Sequence, residues 1–113
     1  MNSKDIGNKA EDVVVNWLLE RGFTIIERNY YASKLGEIDI VAKKEGTIHF
    51  IEVKSSFSTS YHPIYNITPK KLQRLINSAY YYIKSHNVPN RFCIDAVTLK
   101  QDGTIEYFPN ITL

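Results

Sequence analysis

The chain has 113 residues, of which 43% are hydrophobic, and its formal net charge is +2. This length and composition indicate one globular domain with its own core, over residues 1–113. The net charge is too small to indicate a nucleic-acid partner by itself. The single cysteine, Cys93, excludes an internal disulfide and an all-cysteine zinc site.

The sequence carries no membrane signal. No apolar run is long enough to cross a bilayer. The N-terminal stretch MNSKDIGNKAED is polar and mixed in charge, unlike a secretory signal. We therefore expect a cytoplasmic protein.

The first predicted element is an amphipathic helix over residues 3–21. Its apolar residues recur at the spacing of one helical face, Ser3 is a suitable N-cap, and Gly22 is a suitable stop. Glu11 lies at the border of the apolar stripe, and two interpretations stay open. It is either a solvated glutamate or a carboxylate directed along the sheet surface towards a site.

Two strand patterns follow. Residues 23–31, FTIIERNYY, are rich in β-branched and aromatic residues and predict a first strand. Residues 36–54, GEIDIVAKKEGTIHFIEVK, predict a hairpin, because polar and apolar positions alternate on both sides of Glu45 and Gly46. His49 falls on the face that Ile51 occupies, so we do not expect it to join the acidic residues of the hairpin.

The predicted register of the hairpin brings two carboxylates together. If the loop has two residues, Lys44 pairs with Thr47, and Asp39 lies opposite Glu52. Directly opposed Cβ atoms are about 5 Å apart, so two carboxylates there need a compensating cation. A divalent metal with oxygen ligands meets that need, and without it at least one carboxyl should have a raised pKa. Lys54 projects from the same face.

A polar loop over residues 55–68 precedes a second predicted helix over residues 69–86. Thr68 is its expected N-cap and Pro69 its first residue. Its first turns carry three cations, which oppose the helix dipole unless they bind a phosphate together with the helix N-terminus. The alternative is a solvated basic face. These three cations are Lys70, Lys71 and Arg74.

Residues 91–100 and 104–108 predict two final strands, separated by a turn at Asp102 and Gly103. The expected order is α-β-β-β-α-β-β. This order predicts an α/β domain in which helices flank a mixed central sheet.

The acidic pair has the composition of a phosphodiesterase site. Asp39 and Glu52, joined by the main-chain carbonyl of Val53, are suitable ligands for one Mg²⁺ or Mn²⁺. Lys54 is placed to orient the attacking water and to stabilise the transition state. Glu11 adds a ligand directly or through water. Alone, the pattern D…ExK is common. The cross-strand pairing and the preceding helix glutamate make it a stronger indication of a metal-dependent nuclease site.

Several stretches together resemble the YraN family of predicted nucleases. The resemblance covers nearly the whole chain, and its most specific part is GEIDIVA at 36–42 followed by FIEVK at 50–54. The other matching positions are Gly7, Glu11, the ERN of residues 27–29, Lys71, Arg74, Ala79, Tyr82, Arg91 and Phe92.

This resemblance implies a restriction-endonuclease-like fold with a PD-(D/E)XK-type site, similar to archaeal Holliday-junction resolvases. It implies the active-site set Glu11, Asp39, Glu52 and Lys54, which is the set reached from the residues. Resolvases of similar fold work as dimers, so a homodimer is expected. The aromatic run 80–82 is a candidate contact surface, although core packing explains at least one of its tyrosines.

Three functional hypotheses follow. The first is a Mg²⁺-dependent nuclease acting on DNA, with branched or repair intermediates among its candidate substrates. The second is a non-catalytic nucleic-acid-binding protein that uses the basic start of the second helix and the loop after Lys54. The third is a structural domain whose acidic pair only binds a cation.

Overall fold

The predicted order of elements is confirmed by a computed structural model, which describes residues 3–55, 67–88 and 91–112. The predicted loop over 55–68 lies largely outside the described residues. The elements are α1 (Ser3–Glu20), β1 (Thr24–Tyr31), β2 (Glu37–Lys44), β3 (Thr47–Ser55), α2 (Pro69–His86), β4 (Phe92–Leu99) and β5 (Ile105–Phe108).

The strands form one mixed sheet in the order β1-β2-β3-β4-β5. The β3–β4 pair is parallel, whereas the other neighbours are antiparallel. Parallel neighbours need a crossover connection, and α2 lies in that connection. The crossover therefore carries the basic helix over the sheet beside β3.

The hairpin has the predicted register. Its pairing runs from Lys44 with Thr47 to Ile40 with Ile51. Glu45 and Gly46 have φ values of 50° and 80°. A two-residue turn with positive φ at both positions matches the twist of the flanking strands. The loop therefore has the two residues on which the predicted register depends.

The two helices cover opposite faces of the sheet. Successive residues over 40–42 of β2 and 50–51 of β3 fall into two different clusters, as a pleated strand requires. The α1 cluster includes Val14, Leu18, Ile40, Ala42, Ile51 and Val97. The α2 cluster includes Val41, Phe50, Leu75, Ala79, Tyr82 and Ile94. Asp39 and Glu52 lie two residues from Val41 and Phe50, so they share the α2 face.

The beginning of α2 follows the predicted signals. Thr68 is the N-cap, and its hydroxyl accepts a hydrogen bond from the Lys71 N–H at 3.2 Å. Within the aromatic run, Tyr82 is 3% exposed, whereas Tyr80 is 58% exposed and Tyr81 40%. Core packing therefore accounts for Tyr82 and leaves two tyrosines at the surface.

Neither described helix has the length and apolar character that a membrane crossing requires.

Candidate functional site

A cavity of about 550 Å³ opens between the beginning of α2 and the neighbouring ends of β2 and β3. One wall, from the sheet, is acidic, and the other wall, from the helix, is basic. The sheet side consists of Gly36, Glu37, Asp39 and Glu52, and the helix side of Thr68, Lys70, Lys71, Arg74 and Leu75. The structure thus places two predicted metal ligands opposite all three predicted phosphate-binding cations.

Gly36 fixes how closely the two walls approach. Its φ is 147°, and a Cβ at this position would lie 3.1 Å from the Ser78 hydroxyl. That hydroxyl donates a hydrogen bond to the Arg74 carbonyl at 2.8 Å. The absence of a side chain at Gly36 therefore allows α2 to pack directly against the chain that leads into β2.

Asp39 lies one residue beyond the last paired position of the hairpin. Its Oδ2 accepts a hydrogen bond from the Val53 N–H at 2.8 Å. Burial, and then the negative charge of Glu52, raise the pKa of Asp39 to about 7, against the lowering effect of the Val53 hydrogen bond. This agrees with the expectation that one of two facing carboxyls has a raised pKa.

Glu52 is buried and lies between two lysines. Its Oε1 is 3.6 Å from the Lys54 Nζ and 3.4 Å from the Lys71 Nζ. Burial, and then the neighbouring Lys71 amine, lower the pKa of Lys54. The sequence placed Lys54 beside the carboxylates, but it gave no sign that Lys71 crosses from the helix to the same oxygen.

Glu11 is buried on α1, and its carboxylate is held by β1. Its Oε1 accepts hydrogen bonds from the Arg28 Nε and the Asn29 Nδ2, each at 3.1 Å. Among the described residues it does not line the cavity. Its charge nevertheless contributes to the raised pKa of Asp39. Residue-by-residue reasoning missed the holding role of Arg28 and Asn29, although both lie in the ERN stretch.

Glu37 adds a fourth carboxylate to this region. It is exposed at the mouth of the cavity. Partial burial, and then the charges of Glu11 and Glu52, raise its pKa. Carboxylates of β2 and β3 therefore contribute negative charge to this region, and Glu11 of α1 adds to it.

The donor set fits a hard divalent cation, for which carboxylate and carbonyl oxygens are the preferred ligands. Asp39 and Glu52 supply carboxylates on the cavity wall. The N–H and C=O of a strand residue point to the same side, so the Val53 carbonyl shares the direction of the N–H that reaches Asp39. Burial, and then the charge of Glu52, disfavour the ionised form of Asp39, and a bound cation would offset both effects.

A second polar cluster lies on the other face of the sheet. Asp95, which is fully buried, accepts hydrogen bonds from the Tyr107 hydroxyl and the Asn110 N–H, and it lies 2.6 Å from the His49 Nδ1. Burial, and then the hydrogen bond to Asp95, raise the pKa of Tyr107. The expectation that His49 stands apart from the acidic pair is confirmed. Possible ligand atoms of His49, Cys93 and Asp95 lie within 4.8 Å of one another.

Sequence comparison supports one family. The model described as "Uncharacterised protein family UPF0102" matches residues 10–99, which include every residue that lines the cavity. A UPF0102 protein of Sulfurovum sp. is 48% identical over 110 residues, which cover 97% of this chain and 96% of the relative. A UPF0102 protein of Wolinella succinogenes is 49% identical over 111 residues, covering 98% and 99%. For one of Helicobacter hepaticus the identity is 46% over 113 residues, covering 100% and 99%. The chain therefore belongs to the UPF0102 family, the YraN family that its sequence resembles.

Proposed function

We propose that this protein is a divalent-cation-dependent nuclease that hydrolyses phosphodiester bonds in DNA, with a restriction-endonuclease-like fold and a PD-(D/E)XK-type site. The observation that carries the proposal is the convergence of Asp39, Glu52 and Lys54 beside a cavity whose facing wall is basic. Acidic ligands and phosphate-binding cations are the two halves that such a reaction needs.

The residues of the acidic wall would hold Mg²⁺ or Mn²⁺. Asp39, Glu52 and the Val53 carbonyl would be its ligands, and the bound ion would supply charge neutralisation and activation of water. The Val53 N–H holds the Asp39 Oδ2, so this carboxylate is oriented before any ligand arrives.

Lys54 is the catalytic cation of the proposal. Its pKa is lowered by burial and by Lys71. It projects from a rigid strand next to Glu52, where its amine orients the attacking water and stabilises negative charge that develops on the phosphate. Glu11 is bonded to Arg28 and Asn29, and its charge strengthens the attraction of the pocket for a cation.

The basic wall positions the substrate backbone. Lys70 and Arg74 line the cavity on the first turns of α2, where the helix dipole also favours an anion. Phosphate contacts of this kind carry no sequence information, so we expect recognition of DNA shape or branching rather than of a base sequence.

The alternative is a non-catalytic nucleic-acid-binding protein. One observation favours it: Glu52 contacts two lysines, so part of the acidic charge is compensated without a metal. In that case the basic wall binds a phosphate backbone and no bond is broken.

A cleavage panel tests the proposal. Fluorescent single strands, duplexes, flaps and four-way junctions are incubated with Mg²⁺ or Mn²⁺ and either the wild type or Asp39→Asn. The wild type should cut at least one substrate, and the variant should lose about 10²-fold or more in rate, because a metal ligand is replaced. DNA affinity measured in Ca²⁺ should be retained. Identical traces for the two proteins would reject catalysis and leave the binding protein.

A further inference from the structure

The contact that Lys71 makes with the sheet is not expected of a lysine that only binds phosphate or of a solvated surface lysine. It begins on the first turn of α2, where its N–H donates to the Thr68 cap. Its side chain then crosses to the sheet, where its Nζ lies 3.4 Å from the Glu52 Oε1. Lys54 reaches the same oxygen from the strand side at 3.6 Å. One carboxylate oxygen therefore has two ammonium neighbours.

The two lysines differ in how easily each can leave that oxygen. The Lys54 side chain is 19% exposed, whereas that of Lys71 is 37% exposed and borders the cavity. Lys71 also shares the helix wall with Lys70 and Arg74. A swing away from Glu52 would thus bring its amine to where a substrate phosphate would lie.

We propose that Lys71 is an exchangeable counter-ion, which neutralises Glu52 in the metal-free protein and moves to a substrate phosphate when a divalent cation takes Glu52. The inference rests on the proposed function for the cation and the phosphate. Its basis is electrostatic: a divalent ion at Glu52 repels an ammonium group a few ångströms away, and the phosphate attracts it.

Such an exchange has two consequences of opposite sign. In the absence of DNA, Lys71 competes with the metal for Glu52 and weakens metal binding. In the presence of DNA and metal, the same side chain strengthens DNA binding. Lys71 is therefore a positioning residue whose removal should improve one affinity and reduce the other.

Calorimetric titration of the metal-free protein with Mn²⁺ at pH 8 tests the first consequence. Lys71→Met should bind Mn²⁺ about tenfold more tightly than the wild type, because a unit charge beside a divalent ion is removed. Lys71→Arg keeps the charge and should stay within about twofold of the wild type on the same electrostatic argument. Lys70→Met is the matched control, because Lys70 lines the cavity but has no carboxylate contact among the described residues. Its Mn²⁺ affinity should change much less than that of Lys71→Met, because its charge is not in contact with Glu52.

DNA binding in Ca²⁺, measured by fluorescence anisotropy with a four-way junction, tests the second consequence. Lys71→Met should bind about tenfold more weakly than the wild type, because a phosphate contact is lost, and Lys71→Arg should restore most of the affinity. Thermal unfolding of each variant shows whether it is folded.

Unchanged or weaker Mn²⁺ binding by Lys71→Met overturns the exchange, and so does the absence of Mn²⁺ binding to both proteins, because there is then nothing to exchange. Tighter Mn²⁺ binding with unchanged DNA affinity overturns the transfer to phosphate. If Lys71→Met shows both changes in affinity but the wild type cuts no substrate, the nuclease is rejected and the exchange is retained.

Discussion

The two faces of the sheet carry carboxylates in contrasting surroundings. On the α1 face, Asp95 is fully buried and collects the Tyr107 hydroxyl and the Asn110 N–H, with His49 at 2.6 Å. On the α2 face, Asp39 accepts one hydrogen bond, from the Val53 N–H, among the described residues, and its neighbours include other carboxylates. One carboxylate is satisfied by the fold, whereas the other is not.

This contrast separates a structural carboxylate from a candidate functional one. Donors aimed at Asp95 connect β3, β4, β5 and the segment after β5 into one network, which stabilises the folded chain. At Asp39, burial and the charge of Glu52 raise the pKa to about 7, which marks unfavourable electrostatics in the native state. A buried carboxyl with a strongly raised pKa beside an open cavity is typical of a functional site.

The largest expected effect comes from breaking the satisfied cluster. Asp95→Ala leaves the Tyr107 hydroxyl, the Asn110 N–H and the His49 ring without their acceptor in a buried place. The free energy of unfolding should fall by about 3–5 kcal/mol. Urea denaturation followed by circular dichroism measures it. Tyr107→Phe removes one donor and is the control, with a loss of about 1–2 kcal/mol. If Asp95→Ala lost less unfolding free energy than Tyr107→Phe, the structural role of Asp95 would be contradicted.

Neutralising the unsatisfied carboxylate should have the opposite sign. The pKa of Asp39 is about 7 in the folded chain against an ordinary 3.8, so the native state holds its proton more tightly than the unfolded state. Its ionisation therefore costs stability as pH rises from about 4 to 7, and the cost is complete above that range. Asp39→Asn should stabilise the metal-free protein at pH 8 by about 2–4 kcal/mol.

The pH profile is the decisive part of that measurement. The advantage of Asp39→Asn should shrink as pH falls from 8 to 5, because the wild-type carboxyl is then protonated in the native state. Glu45→Gln, at the exposed turn of the hairpin, is a control that should show no such profile. A variant that is less stable than the wild type at pH 8 would refute the electrostatic account.

Cation binding should give the next effect in size. At a free Mn²⁺ concentration of 100 times Kd, the wild type should gain about 2.7 kcal/mol, which raises Tm by roughly 10 °C. Asp39→Asn should gain much less, because it lacks one anionic ligand. Asp95→Asn tests the other face: it should keep the full Mn²⁺ response if the α2 face holds the ion. Differential scanning fluorimetry with and without EDTA provides the comparison.

The smallest effect concerns the charge behind the pocket. Glu11→Gln keeps an oxygen acceptor for Arg28 and Asn29 but removes a negative charge that contributes to the pKa of Asp39. The pKa of Asp39 should therefore decrease slightly, as followed by NMR of its carboxyl carbon. Asp12→Asn is the matched control, because Asp12 also pairs with Arg28 but does not contribute to the pKa of Asp39. If the pKa of Asp39 decreased equally in both variants, the cause would be a change at Arg28 and not the loss of the Glu11 charge.

Local signals made much of the fold and part of the site predictable. Alternation and a two-residue turn fixed the register of β2 and β3, so the shared face of Asp39 and Glu52 was determined by about twenty neighbouring residues. The N-cap at Thr68 and the proline after it located α2 in the same way. These features depend on residues close together along the chain.

The remaining contacts depend on how distant elements pack. The approach of Lys71 to Glu52 follows from the crossover that lays α2 over β3, and the Asp95 cluster needs β5 to return beside β4. The bonds from Arg28 and Asn29 to Glu11 depend on where α1 meets β1, a strand whose pairing shifts between Ile25 and Glu27. The types of the side chains do not by themselves show which distant elements come into contact.

The close packing at Gly36 lies at the edge where the helix and the sheet walls of the cavity meet. A methyl group there would lie 3.1 Å from the Ser78 hydroxyl, so that side chain or its helix would have to shift slightly, and the positive φ would add strain of its own. Lys71 lies on the same helix as Ser78, and its amine spans the cavity to reach Glu52 on the sheet. A glycine that takes no part in chemistry thus lets the helix that carries Lys71 lie close to the layer that carries Glu52.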